Sequence, residues 1–246
     1  MTDDIRLPDG IVLVLRTCTA DLRGTHDKGS HFVWPSSGHV ACDDWDPTPK
    51  CGGGLHGLLW GEGDPQCLSW AESATWLIVA VKATDIVEIV NDGGHKVKFP
   101  HGDVVCCGTR FEATSYLVAR APGRRVHGAL ITAGHRGTAT AGHRGSATAG
   151  DQGTATAGDR GTATAGDRGT ATAGDRGTAT AGDRGTATAG DGGTVQIRHW
   201  DAQAGRYRIV TGYVDEDGIE AGKRYRCDNN GKLVFVDEPA KGKEQS

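Results

Sequence analysis

The chain has 246 residues, enough for one large domain or two small ones, and its 27 Lys and Arg against 31 Asp and Glu give a net charge of −4. This balance argues against a general nucleic-acid-binding protein, which usually carries a basic excess or a basic stripe. The seven cysteines have no regular spacing, so we expect a reduced chain without a disulfide framework.

The N-terminal residues 1–125 predict a small, strand-rich globular domain. The runs GIVLVLR (10–16) and WLIVAVKATDIVEIV (76–90) are rich in β-branched residues and bounded by turn residues, as buried strands are. NDGGHKVKFP (91–100) predicts a hairpin turn followed by a strand that ends at a proline. One short helix is expected near 66–75, and five of the six tryptophans lie in this segment, where they would anchor a core.

The start of the chain, MTDDIRLPDGIVLVLRTC, is acidic before a short apolar run, which is unlike a secretory signal. No apolar stretch is long enough to span a bilayer. From the residues alone we therefore expect a cytoplasmic protein without a secretory signal or a transmembrane segment.

A zinc site is the one enzyme-like hypothesis in the N-terminal segment. His39, Cys42, Cys51 and His56 carry donor atoms suited to zinc, but their spacing, H-x2-C…C-x4-H, matches no strong zinc motif. Buried free cysteines are common, which is the alternative interpretation. CGGGLHG (51–57) lacks the Lys and Ser/Thr of a phosphate-binding loop, so a tight turn is expected there. We predict no metal, no cofactor and no catalytic residue, and the chain is not expected to be an enzyme.

After a short linker at 126–132, residues 133–194 repeat the octapeptide A-G-x-x-G-T-A-T. Copies begin at Ala133, Ala141, Ala149, Ala157, Ala165, Ala173 and Ala181, and a degraded eighth copy, AGDGGTVQ, begins at Ala189. Repetition at a fixed period is the sequence signature of a solenoid. One octapeptide is too short to close a coil around an interior, whereas two form a flattened 16-residue coil with a strand on each side. The array predicts a β-solenoid of about four coils, with disorder from low complexity as the alternative.

Threonine alternates with alanine in each copy, so the hydroxyl residues share one face of a strand and the alanine takes the other. The outward residues are Thr138, Thr140, Ser146, Thr148, Thr154, Thr156, Thr162, Thr164, Thr170, Thr172, Thr178, Thr180, Thr186 and Thr188. Neighbours are expected about 6.7 Å apart along a strand and about 4.8 Å apart between coils, a lattice regular enough to hold ordered water. The alternative is that threonine only covers the solvated face of a strand.

The corner residues between strands carry both charges. They are Arg136, Arg144, Arg160, Arg168, Arg176 and Arg184, beside Asp151, Asp159, Asp167, Asp175, Asp183 and Asp191. The G-D-R or G-H-R step is expected to supply the glycine that a sharp corner needs. The functional interpretation is a charged seam for contact between molecules, and the alternative is a solubilising edge, because exposed ion pairs contribute little. His135 and His143 replace Asp in the first copies, so such contact is expected to respond to pH.

Residues 195–238 return to aromatic and β-branched sequence with turn signals at DEDG (215–218) and DNNG (228–231). They predict short strands that cap the open end of the solenoid, and residues 239–246 predict a disordered tail. The thin alanine interior buries little apolar surface against the entropy cost of ordering each coil. We therefore expect the solenoid to depend on caps at both ends, or on another copy stacked against its end.

All three segments resemble one family, the bacterial ice nucleation proteins. In the N-terminal segment the resemblance rests on LVLRTC (13–18), FVWPSSG (32–38), GLHGLLWGEG (54–63), WLIVAV (76–81) and VKFPHGDVV (97–105). In the repeat it rests on the octapeptide with its TAG hinge and T-x-T strand, and at the C-terminus on RHWD (198–201), RYR (206–208) and DGIEA (217–221).

The resemblance implies a solenoid between an N-terminal domain and a C-terminal cap. It also implies that outward T-x-T motifs order water, that arginine-bearing coils drive end-to-end assembly into fibres, and that the N-terminal domain is associated with the outer membrane at the cell surface. The chain departs from the family in its far shorter array and in having only ARAPGRRVHGAL (119–130) where the family has a long Thr/Pro-rich linker. Nearly every copy also combines Arg with T-x-T.

We therefore predict a mainly β structural protein that self-associates into dimers or fibres through its arginine-bearing coils and its cap. The second hypothesis is weak binding of ice or ordered water by the threonine faces. The third is an enzymatic or metal-binding N-terminal domain with the solenoid as a spacer. The expected partners are a second copy of the chain, an ice or water surface and, for the N-terminal domain, a membrane, but no nucleic acid.

Overall fold

A computed structural model of the chain describes residues 7–24, 32–90 and 95–236. The chain forms two compact units, one containing Met1–Leu130 and Ala141–His143 and the other containing Ile131–Thr140 and Arg144–Ser246. The domain boundaries predicted from the sequence, at 125, 132, 194 and 238, are not tested by this division and stay predictions. The expected hairpin turn at 91–94 and the tail at 239–246 lie outside the described residues.

Seven antiparallel strands form the sheet of the first unit. They are β1 (Ile11–Cys18), β2 (Gly38–Ala41), β3 (Leu55–Leu59), β4 (Thr75–Lys82), β5 (Val87–Ile89), β6 (Lys96–Phe99) and β7 (His101–Gly108). Their order in the sheet is β2-β7-β4-β1-β3-β6-β5. The strands expected at 10–16 and 76–90 are confirmed, the second as β4 and β5 with one turn of 3-10 helix, Ala83–Asp85, between them.

β1 and β4 form the centre of this sheet, because β-branched and leucine residues on both strands can be buried together. All eight residues of β1 pair with β4, from Ile11 opposite Lys82 to Cys18 opposite Thr75. The main hydrophobic cluster on one face contains Val14, Cys18, Trp34, Val40, Leu55, Leu77, Val79, Val81, Val97, Phe99 and Val104, all at most 4% exposed. A small core of this kind fixes the positions of the loops around it.

The helix of the first unit lies elsewhere than the sequence predicted. Near 66–75 the structure has only one turn of 3-10 helix, Pro65–Cys67, whereas α1 occupies Arg110–Arg120. Thr109 caps α1, accepting a hydrogen bond from the Glu112 N–H, and Glu112 accepts one in return from the Thr109 N–H. This reciprocal cap is visible in the sequence as T-x-x-E before a helical run, so the signal was present.

One strand lies just before the first octapeptide, and each of the seven regular copies forms one strand. These strands are β8 (Leu130–Ala133), β9 (Thr138–Ala141), β10 (Ser146–Ala149), β11 (Thr154–Ala157), β12 (Thr162–Ala165), β13 (Thr170–Ala173), β14 (Thr178–Ala181) and β15 (Thr186–Thr188). Even-numbered strands lie in what we call the first solenoid sheet, and odd-numbered strands lie in the second solenoid sheet. Two successive octapeptides therefore make one coil.

The repeat strands within each solenoid sheet are parallel and pair in a 16-residue register. Ser146 lies opposite Thr162 in the first sheet, and Thr154 lies opposite Thr170 in the second. The fold is mainly β, with a solenoid of about four turns, as the repeat predicted. The alanines of the T-A-T-A strands from β9 to β15 face inward and are at most 3% exposed.

The residues after the repeat close the solenoid with short strands, as expected for a cap. These strands are β16 (Thr194–Asp201), β17 (Arg206–Tyr213), β18 (Tyr225–Cys227) and β19 (Leu233–Phe235). β16 continues the first solenoid sheet in parallel and β17 folds back on it in antiparallel. β18 joins the second solenoid sheet in antiparallel at β15, and β19 pairs with β18.

Candidate functional site

The outward residues of the repeat form two separate arrays, one on each solenoid sheet. The first array contains Ser146, Thr148, Thr162, Thr164, Thr178 and Thr180, and the second contains Thr138, Thr140, Thr154, Thr156, Thr170, Thr172, Thr186 and Thr188. None of these side chains is buried. With strands about 4.8 Å apart and alternate residues about 6.7 Å apart, each array is a narrow lattice of two columns.

The first array is longer than the repeat motif indicates. Thr132 on β8 lies 16 residues before Thr148, and Thr194 on β16 lies 16 residues after Thr178. Both side chains are accessible. Gln196 continues the second column, and its Oε1 accepts a hydrogen bond from the Thr180 hydroxyl at 3.2 Å. The 16-residue spacing was the signal that could have found these positions from the sequence.

Each corner is a four-residue turn whose third residue has a left-handed backbone. The Gly137 N–H donates to the Gly134 oxygen at 3.0 Å and closes the first of these turns. The third position has φ between 52° and 58° at the six arginines and at Gln152, and only the degraded copy places a glycine, Gly192, there. This conformation costs a residue with a side chain about 1–2 kcal/mol relative to glycine. The strained left-handed residue of the corner is therefore arginine. This corrects the expectation that glycine would adopt the sharp-turn conformation.

The glycine that follows the third position of the turn is required by space. A Cβ on Gly153 would lie 2.8 Å from the Ala149 Cβ and 2.8 Å from the Gly137 oxygen of the preceding coil. Real Cβ atoms do not approach neighbours this closely, so the coils can stack at strand spacing only with glycine at this position.

The corner aspartates join each coil to the next. The Asp167 N–H donates to Asp151 Oδ1 at 3.0 Å, and the Asp183 N–H donates to Asp167 Oδ1 at 2.8 Å. Backbone N–H groups at a turn would otherwise depend on water. The aspartates predicted as one half of a charged seam thus have a structural contact that sequence reasoning missed.

The other corner has the same ladder. The Asp175 N–H donates to Asp159 Oδ1 at 3.2 Å, and the Asp191 N–H donates to Asp175 Oδ1 at 3.0 Å. In the first unit, the His143 N–H donates to His127 Nδ1 at 2.9 Å across the same 16-residue separation. His127 therefore takes the acceptor position that aspartate has in later copies.

Asp167 is also held by an arginine outside the repeat. Arg198 Nη2 donates to Asp167 Oδ1 at 2.6 Å, and the Arg198 guanidinium lies 4.6 Å from the centre of the Tyr207 ring. Desolvation alone would raise the pKa of Asp167, but the hydrogen bond from the Asp183 N–H and the Arg198 charge outweigh it, so this pKa lies below its ordinary value.

The corner arginines, by contrast, are weakly paired. Arg184 Nε lies 3.6 Å from Asp183 Oδ2, with 72% of the arginine side chain exposed. Arg160 and Arg176 have no carboxylate within ion-pair distance in the part of the chain that the structure describes. The charged edge of the solenoid therefore consists of a row of outward arginines next to aspartates whose carboxylates accept backbone hydrogen bonds.

The two histidines in the first copies have different surroundings. His135 is exposed, whereas the His143 ring lies 5.3 Å from the Trp70 ring and 6.3 Å from the His127 ring within the first unit. Of the two, only His135 therefore lies in surroundings like those of an exposed corner residue. The pH response of contact between molecules stays a prediction.

The outer face of the first solenoid sheet continues into exposed apolar side chains. Trp200, Tyr207, Ile209 and Tyr213 are 47%, 49%, 63% and 55% exposed. Register places Tyr207 opposite Trp200 and Tyr213 opposite Thr194, so all four share the face of the threonines. β17 is the edge strand of this sheet.

The four zinc-ligand candidates do not converge. His39 Nδ1 lies 3.5 Å from Asp103 Oδ1, the Cys42 thiol donates to the Pro100 oxygen at 3.3 Å, and Cys51 accepts a hydrogen bond from Lys96 Nζ at 3.1 Å. Within residues 7–24, 32–90 and 95–236, no group of three or more His, Cys, Asp or Glu side chains could hold a metal ion.

His56, the fourth candidate, is partly buried on β3. Desolvation, with smaller effects from the charges of Lys96, Arg16 and Lys98, lowers its pKa to about 4. The preceding glycines 52, 53 and 54 all have positive φ and lead into a strand, which is the geometry of a tight turn and not of a phosphate loop before a helix.

No helix among the described residues is long and apolar enough to cross a membrane. The expected membrane association of the N-terminal residues therefore stays a hypothesis from resemblance.

Curated relatives match part of the chain. An ice nucleation protein from Pseudomonas fluorescens is 42% identical over 106 residues, which is 43% of this chain and 8% of that protein. Ice nucleation proteins from Pseudomonas syringae and Xanthomonas campestris pv. translucens are 37% and 33% identical over 110 and 113 residues, covering 44% and 45% of this chain. The matched region is only 9% and 7% of those two proteins.

No protein-family model matches the chain. No solved structure matches it either. The curated relatives and the β-solenoid together support the resemblance found in the sequence.

Proposed function

Because the chain is related to the ice nucleation protein family, we propose that it is an ice-nucleation-like β-solenoid that self-associates into dimers or fibres through its arginine-bearing corners and its C-terminal strands. The observation that carries this proposal is the row of corner arginines. Each has a left-handed backbone that glycine would adopt at lower cost, as Gly192 does in the last copy.

The charge arrangement supports contact between molecules. The aspartates at the corners accept hydrogen bonds from the next coil, while Arg160 and Arg176 extend without an ion pair among the described residues. An exposed guanidinium of this kind forms a two-pronged hydrogen bond with a carboxylate on another molecule. Carboxylates such as Asp215 and Glu216 in the C-terminal loops are exposed and suited to that contact.

The C-terminal strands support the same proposal. β17 is an edge strand, and edge strands present unpaired N–H and C=O groups that pair readily with another chain. Tyr207, Ile209 and Tyr213 on β17 and Trp200 on the neighbouring strand form an exposed apolar patch on the face of this edge, which a second copy would cover.

A second function, organisation of water or ice, is favoured by the two threonine arrays. Their hydroxyl and methyl groups repeat with the strand spacing on both solenoid sheets, on a backbone that parallel pairing holds in register. The arrays are only a few coils long, so self-association that aligns several molecules would enlarge the ordered face. The two functions therefore support one another.

The location and the role of the N-terminal residues follow from the same family relation. We propose a cell-surface location, with the first unit as the part that associates with the outer membrane. The absence of catalytic activity likewise remains our expectation, since the relatives are named for ice nucleation.

Sedimentation and negative-stain electron microscopy at two concentrations test self-association. The variant replaces Arg144, Arg160 and Arg176 by Asn, which tolerates a left-handed backbone, and the control replaces the same residues by Lys. We expect wild type to gain mass with concentration, the Lys control, which keeps the charge but not the two-pronged hydrogen bond, to gain less, and the Asn variant to stay small with an unchanged circular dichroism spectrum. Equal mass in all three proteins would contradict the charged seam.

Droplet freezing separates the second function from the first. We expect Thr162→Lys with Thr164→Lys on the first array, or Thr170→Lys with Thr172→Lys on the second, to lower the freezing temperature without changing the particle size. Identical freezing of variants and wild type would rule out a role for the threonine arrays.

A further inference from the structure

The first unit contains a cavity that neither the threonine arrays nor the corner residues use. Its volume is about 250 Å³, and its lining includes Arg16, Trp34, Cys42, Asp43, Asp44 and His56. The size is just below the roughly 300–1,000 Å³ of sites for drug-sized ligands, so it suits a molecule of a few heavy atoms.

Arg16 supplies a partly buried cationic group to this cavity. Its Nη1 donates to the His56 backbone oxygen at 2.8 Å, and its guanidinium lies 4.7 Å from the centre of the Trp34 ring. Its Nε atom is buried without a hydrogen-bond partner, and no carboxylate of a described residue forms an ion pair with it. A partly buried guanidinium without an ion pair is matched by a carboxylate oxygen.

His56 adds a second unsatisfied atom. Its Nε2 is buried and has no partner, although buried polar atoms nearly always have one. The pKa of about 4, caused mainly by burial, keeps the ring neutral at pH 7, so this nitrogen presents one hydrogen-bonding group without a competing charge.

Two carboxylates line the same cavity. Asp44 is held in place because its Oδ1 accepts a hydrogen bond from the Gly54 N–H at 3.0 Å, and Asp43 beside it is exposed at the mouth of the cavity. Carboxylates accept hydrogen bonds from hydroxyl and ammonium groups and repel a second anion. A simple anion would therefore satisfy Arg16 but not this side of the cavity.

We propose that the cavity binds a small carboxylate that carries a hydroxyl or ammonium group on the neighbouring carbon. The ligand carboxylate pairs with the Arg16 guanidinium, and the hydroxyl or ammonium group donates to Asp43. Trp34 and Phe32 contribute apolar rings to the lining. This site is separate from the proposed function of the solenoid and does not depend on it.

Calorimetric titration and amide NMR of the full chain test the proposal with four probes. Lactate and alanine carry the two groups, acetate lacks the second group, and glycerol lacks the carboxylate. We expect lactate or alanine to bind about tenfold more tightly than acetate, a difference that one added charged or polar contact supplies, with glycerol not binding. The better of lactate and alanine identifies a hydroxy acid or an amino acid, and the amide signals of Gly54 and Leu55 should move.

Three variants locate the site. Arg16→Met should weaken binding by about tenfold or more, and Asp43→Asn should remove the preference over acetate. Arg124→Met, which removes another cation of the same unit that pairs with Glu62 at 3.1 Å outside the cavity, should leave binding unchanged. Equal affinity for acetate and lactate or alanine, unmoved amide signals at Gly54 and Leu55, unchanged affinity in Arg16→Met, or a preference over acetate that persists in Asp43→Asn would overturn the proposal. Asp43→Asn keeps the test valid if Arg16→Met does not fold.

Discussion

Asp175 and Asp191 occupy equivalent corners in neighbouring coils but have different contacts. The Asp175 carboxylate accepts a hydrogen bond from the Asp191 N–H at 3.0 Å, whereas no described residue donates to the Asp191 carboxylate. We expect Asp175→Ala to lower the free energy of unfolding by about 1 kcal/mol, because an exposed backbone N–H loses a charged acceptor.

The matched control is Asp191→Ala, which removes the same charge and should change the free energy of unfolding by less than about 0.5 kcal/mol. Urea unfolding followed by circular dichroism measures both. An equal loss in the two variants would mean that corner charge, and not the ladder, stabilises the solenoid.

His56 predicts how the first unit responds to acid. Its folded pKa of about 4 lies below the value of about 6.5 expected in an unfolded chain, so the unfolded state binds the proton first. The stability linked to His56 is therefore complete above about pH 6.5 and is lost as the pH falls toward 4. Burial also lowers the pKa of His127, which acts in the same direction.

We expect His56→Gln to reduce the loss of stability between pH 6.5 and 4, since glutamine does not titrate. The urea midpoint measured across this range, with the exposed His101→Gln as control, is the readout. A variant whose midpoint falls as steeply as that of wild type would show that His56 does not carry the acid response.

Residue types and spacing predicted where the corner charges lie but not what they contact. The hydrogen bond from one aspartate to the next depends on the height of a coil, which no local pattern encodes. The left-handed arginine was also missed, because such positions usually hold glycine. The degraded copy was the available signal, since Gly192 stands where the other copies have Arg or Gln.

At the scale of one coil, close stacking predicts a steep cost for any side chain at the turn glycines. A Cβ on Gly150 would lie 2.9 Å from the Gly134 carbonyl carbon and 2.9 Å from the His135 nitrogen, both backbone atoms that cannot move away. We expect Gly150→Ala to lower the free energy of unfolding by about 1–3 kcal/mol through overpacking.

Gly134 is the matched control, because it has the same place in its octapeptide but nothing lies within 4 Å of an added Cβ. Gly134→Ala should leave the melting temperature unchanged or raise it slightly, since alanine restricts the unfolded chain. Thermal unfolding of both variants is the measurement, and similar melting temperatures would contradict stacking at this distance.

Elements with strong periodicity were predicted well, and elements without it were not. The octapeptide specified strand, face and the 16-residue coil, because every copy repeats the same information. In the first unit β1 and β4 followed from their β-branched runs, whereas α1 was missed although Thr109 and Glu112 form a visible cap. The cavity beside Arg16 and His56 joins residues 40 positions apart and has no local signature.

At the scale of the whole molecule, the number of coils should govern water organisation. Each added pair of octapeptides extends both threonine arrays by one row about 4.8 Å high without changing any other contact. We expect insertion of further 16-residue coils after Ala165 to raise the droplet-freezing temperature stepwise. The same insertions with Lys at the outward positions serve as control, and equal freezing in both series would exclude the arrays.

The alanine interior has a consequence for behaviour in the cold. Heat capacity on unfolding rises by about 0.45 cal/mol/K per Å² of apolar surface exposed and falls by about 0.26 for polar surface. A solenoid held by backbone hydrogen bonds around alanine exposes little apolar surface and much polar surface when it unfolds. Its free energy of unfolding therefore changes little with temperature. Hydrophobic stabilisation weakens on cooling, and a core such as that of Trp34, Leu77 and Phe99 is subject to this loss. The repeat is therefore the part of the chain best suited to keep its lattice ordered near the freezing point.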